Sequence, residues 1–272
     1  MSVLDLAAFT RLVEFERERF ASAEPFPHVV ADGLFDPTAL RAVAGEFAAA
    51  GETWTYWHHV NERKRGLSDR TRMGPATRAL IAALETPDFL AQLERLTQVD
   101  RLLADPHLDG GGLHETLPGG FLNVHTDFLS HTLERTWRRE LNLLLFLNED
   151  WKPDYDGALE LWDESVERCV RRIDPTFNRC VIFRTSATSF HGVPTGVRCP
   201  EGQSRKSLAL YYFQDTGHTL RLKPTHYVPR PADTPLQRLM IRADRTALRA
   251  YSLLKRYTPF GDALISKLLR KL

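Results

Sequence analysis

Gly119-Gly120-Phe121-Leu122-Asn123-Val124-His125-Thr126-Asp127 is the stretch on which the reading of this chain turns. His125 and Asp127 are separated by one residue, so on an extended segment both project from the same face. Together they form half of a binding site for a divalent metal. Imidazole and carboxylate suit iron, zinc and manganese alike, so the pair alone does not choose among them. A third ligand is then expected from a distant strand. His191, in Ser189-Phe190-His191-Gly192-Val193, is the best placed. His131, His218 and His226 compete for the role, but none of them sits just ahead of a Gly-Val-Pro turn. Arg205-Lys206-Ser207 begins 14 residues beyond His191 and runs into the apolar strand Leu208-Ala209-Leu210-Tyr211-Tyr212-Phe213. Arg205 and Ser207 share one side of that strand and together would clamp the far carboxylate of a dicarboxylic ligand. Lys206 faces the other way and reads as a surface charge.

The ordered set of HxD, distal His and RxS resembles the Fe(II)- and 2-oxoglutarate-dependent dioxygenases, most of all their prolyl 4-hydroxylase-like branch. The text between agrees: Arg139-Glu140-Leu141-Asn142 opens a strand, Phe146-Leu147-Asn148-Glu149-Asp150-Trp151 ends it, and Asp156-Gly157-Ala158-Leu159-Glu160-Leu161 follows. Pro25-Phe26-Pro27-His28-Val29-Val30 and Phe35-Asp36-Pro37 are also similar to the family's first strand and helix, so the likeness covers about residues 25–215. It implies a double-stranded β-helix, a jelly-roll or cupin-like core. It also implies His125, Asp127 and His191 as ligands of Fe(II), and 2-oxoglutarate bound through its 2-oxo and C1 carboxylate groups. Arg205 and Ser207 would hold the far carboxylate, with Asn142 lining the cosubstrate pocket. Dioxygen completes the reaction, a C–H hydroxylation that releases succinate and carbon dioxide, with ascorbate as an aid in vitro. Two positions depart from the pattern: Leu122 and Phe146 stand where prolyl hydroxylases commonly carry Tyr. The segment from Gly192 to Ser204 is also long for that branch and would shape a different opening to the site.

The rest of the chain fits a mainly β protein with flanking helices. Its 272 residues, 43% hydrophobic with a net charge of +1, suffice for one large domain. No run of apolar residues is long enough to span a bilayer, and the charged first 20 residues do not read as a secretory signal. Cys169, Cys180 and Cys199 have no CxxC spacing, so reduced thiols and a cytoplasmic location are expected. Apolar residues at Leu4, Leu6, Phe9, Leu12, Val13 and Phe20 recur at a helical period. Asp36 and Pro37 start a second helix, and Thr77–Leu84 and Asp88–Leu96 two more. Trp54 to His59 reads as aromatic packing, and Asn61 to Met73 as a polar surface loop suited to a substrate-side lid. At least seven short strands separated by turns complete a sandwich or jelly-roll pattern.

We place the dioxygenase domain at residues 1–215 and a basic helical extension at 216–272. From Arg221 onward there are 12 Lys or Arg against three Asp. A basic amphipathic tail suits a membrane surface or an acidic partner, but packing beside the barrel with a solvated face accounts for the same pattern. No nucleic-acid motif accompanies the charge. Three readings follow: an oxygenase acting on a peptidyl residue or a small metabolite, a zinc-dependent cupin-like enzyme, and a non-catalytic metal-binding module that docks partners through its tail. Arg205 with Ser207 favours the first, since a hydrolytic zinc site needs no such clamp.

Overall fold

The computed structural model of the protein describes residues 3–221 and 223–244. Helix α1 (Leu6–Ser22) is capped by Asp5, whose carboxylate accepts from the Ala8 amide at 2.8 Å. Strand β1 (His28–Asp32) leads to α2 (Pro37–Ala49), which Asp36 caps in the same way through Ala39. The hairpin β2 (Thr55–His59) and β3 (Glu62–Leu67) precedes α3 (Pro75–Ala83) and α4 (Pro87–Thr97). Glu46 of α2 reaches across to accept from the Ala76 and Thr77 amides at 2.8 and 2.9 Å, satisfying the start of α3 from another helix. Nine strands follow: β4 (Leu103–Ala104), β5 (Gly112–Thr116), β6 (Phe121–Thr126), β7 (Trp137–Phe146), β8 (Leu159–Trp162), β9 (Cys169–Ile173), β10 (Arg179–Arg184), β11 (His191–Val193) and β12 (Arg205–Asp215). A short β13 (His226–Tyr227) closes the list.

All these strands join one curled antiparallel sheet in the order β1-β10-β7-β12-β5-β3-β6-β11-β8-β9, with β2 on β3, β4 on β12 and β13 on β6. This is the jelly-roll half-barrel that the turn-separated strands lead one to expect. Strand alternation divides its side chains. Leu141, Leu143 and Leu145 of β7, Cys180 and Ile182 of β10, and Leu208, Leu210 and Tyr212 of β12 form one core with α1–α4. Phe146, Leu159, Leu161, Ile173, Val181 and Phe183 fill the inside of the curl. The four helices therefore buttress the convex face and leave the concave one to the site.

One expectation is corrected. The polar segment from Asn61 is no lid, because Glu62–Leu67 is a central strand between β5 and β6. Its charges are neutralised by neighbours: Arg65 Nε donates to Glu115 Oε2 at 2.7 Å, and Glu62 lies 3.2 Å from Lys64 and 2.9 Å from His59. The sheet also takes in one short strand beyond residue 215. Tyr227 on β13 pairs with His125 of β6, and Asn61 Nδ2 donates to Asp244 Oδ2 at 2.5 Å from the helical residues 235–244. The remainder of the basic tail, 245–272, lies outside the described residues, and so does most of the surface on which the docking-module reading rests. No helix among the described residues is long and apolar enough to cross a membrane.

Candidate metal centre and cosubstrate site

His125 is the last residue but one of β6 and Asp127 comes just after the strand, while His191 opens β11. The antiparallel register sets His191 directly opposite His125, so residues 66 apart in the chain meet with ring centroids 4.5 Å apart. Asp127 lies between the imidazoles: Oδ1 is 3.6 Å from His125 Nε2, and Oδ2 is 3.4 Å from His191 Nε2. One ligand atom from each of the three residues falls within 4.8 Å of the others, and all three residues are buried. No other described group of His, Cys, Asp and Glu meets this test.

The imidazoles are held in the tautomer a metal needs. His125 Nδ1 donates to the Asn123 carbonyl at 2.8 Å and His191 Nδ1 to the Ser189 carbonyl at 3.0 Å, which leaves both Nε2 lone pairs for the ion. Burial lowers the His191 pKa to about 4, against the opposing pull of Asp127, so the ring is neutral at physiological pH. For Asp127, burial alone would raise the pKa, but Arg139, His191 and His125 outweigh it and hold the carboxyl ionised. Two neutral nitrogens and one carboxylate fit Fe(II) with positions to spare. Aromatic rings brace the set: Phe183 meets His191 edge-on at 4.8 Å, and Tyr227 lies 5.3 Å from His125.

Arg205 and Ser207 begin β12 and face the interior. The Arg205 guanidinium lies over the Phe146 ring at 4.9 Å, and its Nε donates to the Gly157 carbonyl at 2.6 Å. Burial lowers its pKa to about 10, and among the described residues no carboxylate pairs with it. A buried cation of this kind is costly without an anion, and a dicarboxylate ligand supplies one. Gly157 sits at φ +77° with Arg205 Cδ 3.2 Å from where a Cβ would be, so the turn that accepts Arg205 has no room for a side chain. Ser207, also buried, registers opposite Phe146 and His114. Burial, with Lys64 nearby, lowers the His114 pKa to about 3. Leu122 registers opposite Glu62 and Val193. Phe146 thus gives Arg205 an aromatic floor where a phenol is common in prolyl hydroxylases.

Asn142 is buried on the inner face of β7, but its side chain is engaged with the metal side. Its Nδ2 donates to Asp127 Oδ2 at 2.7 Å, and its Oδ1 accepts from Arg139 Nε at 2.8 Å. The competing histidines are accounted for: His131 pairs with Asp105 at 3.2 Å, His218 Nδ1 bonds the Thr216 carbonyl, and His226 faces Phe190. Arg139 and Tyr227 belong to the site and carried no sequence signal of their own.

Comparison with known proteins agrees with this geometry. Residues 111–228 match the 2OG-Fe(II) oxygenase superfamily. Over 146 residues, 52% of this chain, the sequence is 27% identical to Prolyl 3-hydroxylase OGFOD1 of Mus musculus. The match spans 24% of that protein, so this chain covers only about a quarter of the curated relative's length. The fold is similar to that of a prolyl hydroxylase from Trichoplax adhaerens, solved with a hypoxia inducible factor oxygen degradation domain peptide fragment (TM-score 0.55, 16% identity, 78% of this chain and 93% of that one). It is also similar to HygX from Streptomyces hygroscopicus with nickel and 2-oxoglutarate bound (TM-score 0.50, 13% identity, 75% of this chain and 88% of that one). His125, Asp127, His191 and Arg205 all lie inside the matched residues, so it is over the site itself that the chain is similar to the 2OG-Fe(II) oxygenase superfamily.

Proposed function

We propose that the protein is a hydroxylase that uses Fe(II), 2-oxoglutarate and dioxygen to oxidise an unactivated C–H bond of a prolyl or other peptidyl residue, releasing succinate and carbon dioxide. The observation that carries this reading is one barrel interior that holds both a His-Asp-His triad and a buried guanidinium with no described counter-ion. Fe(II) with bound 2-oxoglutarate and dioxygen supplies the oxidising power through decarboxylation of the keto acid. The protein's part is placement. His125 and His191 present fixed Nε2 atoms, and Asp127 brings the negative charge that a dication needs. Arg205 receives the far carboxylate with its planar fork, and Ser207 adds a hydroxyl from the same strand face. Phe146, Phe183 and Tyr227 keep the surroundings of these groups dry.

The peptidyl substrate is supported by the name of the Mus musculus relative and by the peptide bound to the Trichoplax adhaerens enzyme. A small metabolite is the competing substrate. Incubation with Fe(II), 2-oxoglutarate and a prolyl peptide library, read by succinate release and by mass gain of one oxygen, separates them. Succinate coupled to peptide oxidation supports the proposal. Coupling only to a metabolite extract overturns the peptidyl part, and no 2-oxoglutarate-dependent succinate with either overturns the activity.

A further inference from the structure

A side chain with no part in the scheme above grips the Asp127 carboxylate from behind. Arg139 is 1% exposed, its Cζ 3.3 Å from the centre of the Tyr211 ring and 4.6 Å from that of Phe128. Its Nη2 lies 3.2 Å from Asp127 Oδ2, the same oxygen that accepts from Asn142, while Nε holds Asn142 in place. Strict alternation along β7 would send Arg139 to the helices with Leu141, Leu143 and Leu145. The register prevents this: Leu141 pairs with Tyr212 and Arg139 with Phe213, so Glu140 is an extra residue on β7. That irregularity turns Arg139 inward, as bulges beside active sites do. The arrangement is expensive, because Nη2 meets Asp127 as an ion pair without forming a hydrogen bond and Nη1 has no hydrogen-bond partner among the described residues. A buried guanidinium locked between two rings and bonded to the partner of Asp127 is built to fix that carboxylate.

We propose that Arg139 is a positioning residue for the metal site. Acting with Asn142, it commits Asp127 Oδ2 and leaves Oδ1 as the single oxygen that Asp127 offers the ion. A carboxylate kept from chelating through both oxygens leaves one more coordination position for cosubstrate and dioxygen. The inference rests on the proposed metal site but not on turnover.

The test is Mn(II) binding to the chelator-treated full-length protein, followed by loss of the free-ion electron paramagnetic resonance signal without 2-oxoglutarate. Wild type, R139K, N142L and the double variant are compared, with far-UV circular dichroism and the unfolding midpoint as folding controls. R139K keeps the charge but loses the planar fork and the bond to Asn142. The expected result is that each single variant weakens Mn(II) binding about ten- to a hundredfold, the usual cost of losing a ligand's supporting partner. The double variant should be no weaker than the worse single one, because both act on one oxygen. Should R139K fail to fold, N142L tests the same oxygen. Folded variants that bind within about twofold of wild type, or losses that simply add, would overturn the proposal. A wild type that binds Mn(II) yet never releases succinate refutes the hydroxylase activity and leaves this inference standing.

Discussion

Strands β7 and β12 carry two faces of opposite character. Outward, Leu141, Leu143, Leu145, Leu208, Leu210 and Tyr212 meet Phe9, Leu80, Ile81, Phe89 and Leu93 in a wholly apolar core. Inward, one residue along, Asn142, Arg205 and Ser207 carry polar groups that a core would not tolerate unless they had partners. The contrast separates stability from chemistry by a single step of the pleat. Variants on the two faces should therefore damage different properties, and each prediction below attacks or refines that separation.

The largest effect is expected at the triad. His191→Gln keeps a polar side chain but removes a ligand. Turnover should fall about a thousandfold or more, since a catalytic metal contributes several kcal/mol and each 1.36 kcal/mol is tenfold. Thermal unfolding of the chelator-treated protein should change by less than about 1 kcal/mol. On the outer face, Leu143→Ala should cost about 2–5 kcal/mol in denaturant unfolding and leave kcat per folded molecule unchanged. If L143A instead impaired turnover at temperatures where it is fully folded, the two faces would not be independent.

Arg205→Met refines the comparison. Losing one partner of a buried charge pair costs about 2 kcal/mol or more, so KM for 2-oxoglutarate should rise about thirtyfold or more. The free protein should unfold no more easily than wild type, because the guanidinium has no described counter-ion to lose. A strongly destabilised R205M would make Arg205 a structural residue.

The smallest effect is on pH. Burial puts His191 at about 4 and His114 at about 3 in the folded protein, against about 6.5 for an unfolded imidazole. Both are lowered, so the unfolded chain binds more protons across the interval between these values. Stability is then complete above about pH 6.5 and declines as the pH falls toward 4. Unfolding midpoints of the chelator-treated protein at successive pH values check this, and His114→Gln should flatten the decline.

Much of this division could be read from the residues. HxD and RxS each place two side chains on one face of a strand, and period-2 geometry carries such pairs intact into the fold. His191 was accessible because a Gly-Val-Pro turn follows it. The departures have physical causes. Arg139 was invisible because the extra residue at Glu140 reverses the face that alternation assigns to it. Glu62–Leu67 reads as a loop because Arg65 and Glu62 find partners across the sheet, at Glu115 and His59, which the local sequence does not show. Asn142 lies on the inner face as expected, but its bonds go to Asp127 and Arg139, which no local pattern announces. Strand β13 gives no sign in the sequence because at two residues it is too short to show a period, although Tyr227 sits directly beside His125.

The account rests on the three ligands and Arg205 serving one bound complex, and anaerobic titration tests that most directly. Fe(II) and 2-oxoglutarate added together to the chelator-treated protein should produce a weak visible charge-transfer band. The band should be absent from H191Q and should need far more 2-oxoglutarate in R205M. No band in the wild type, or a band of equal strength and equal 2-oxoglutarate dependence in both variants, would contradict the account.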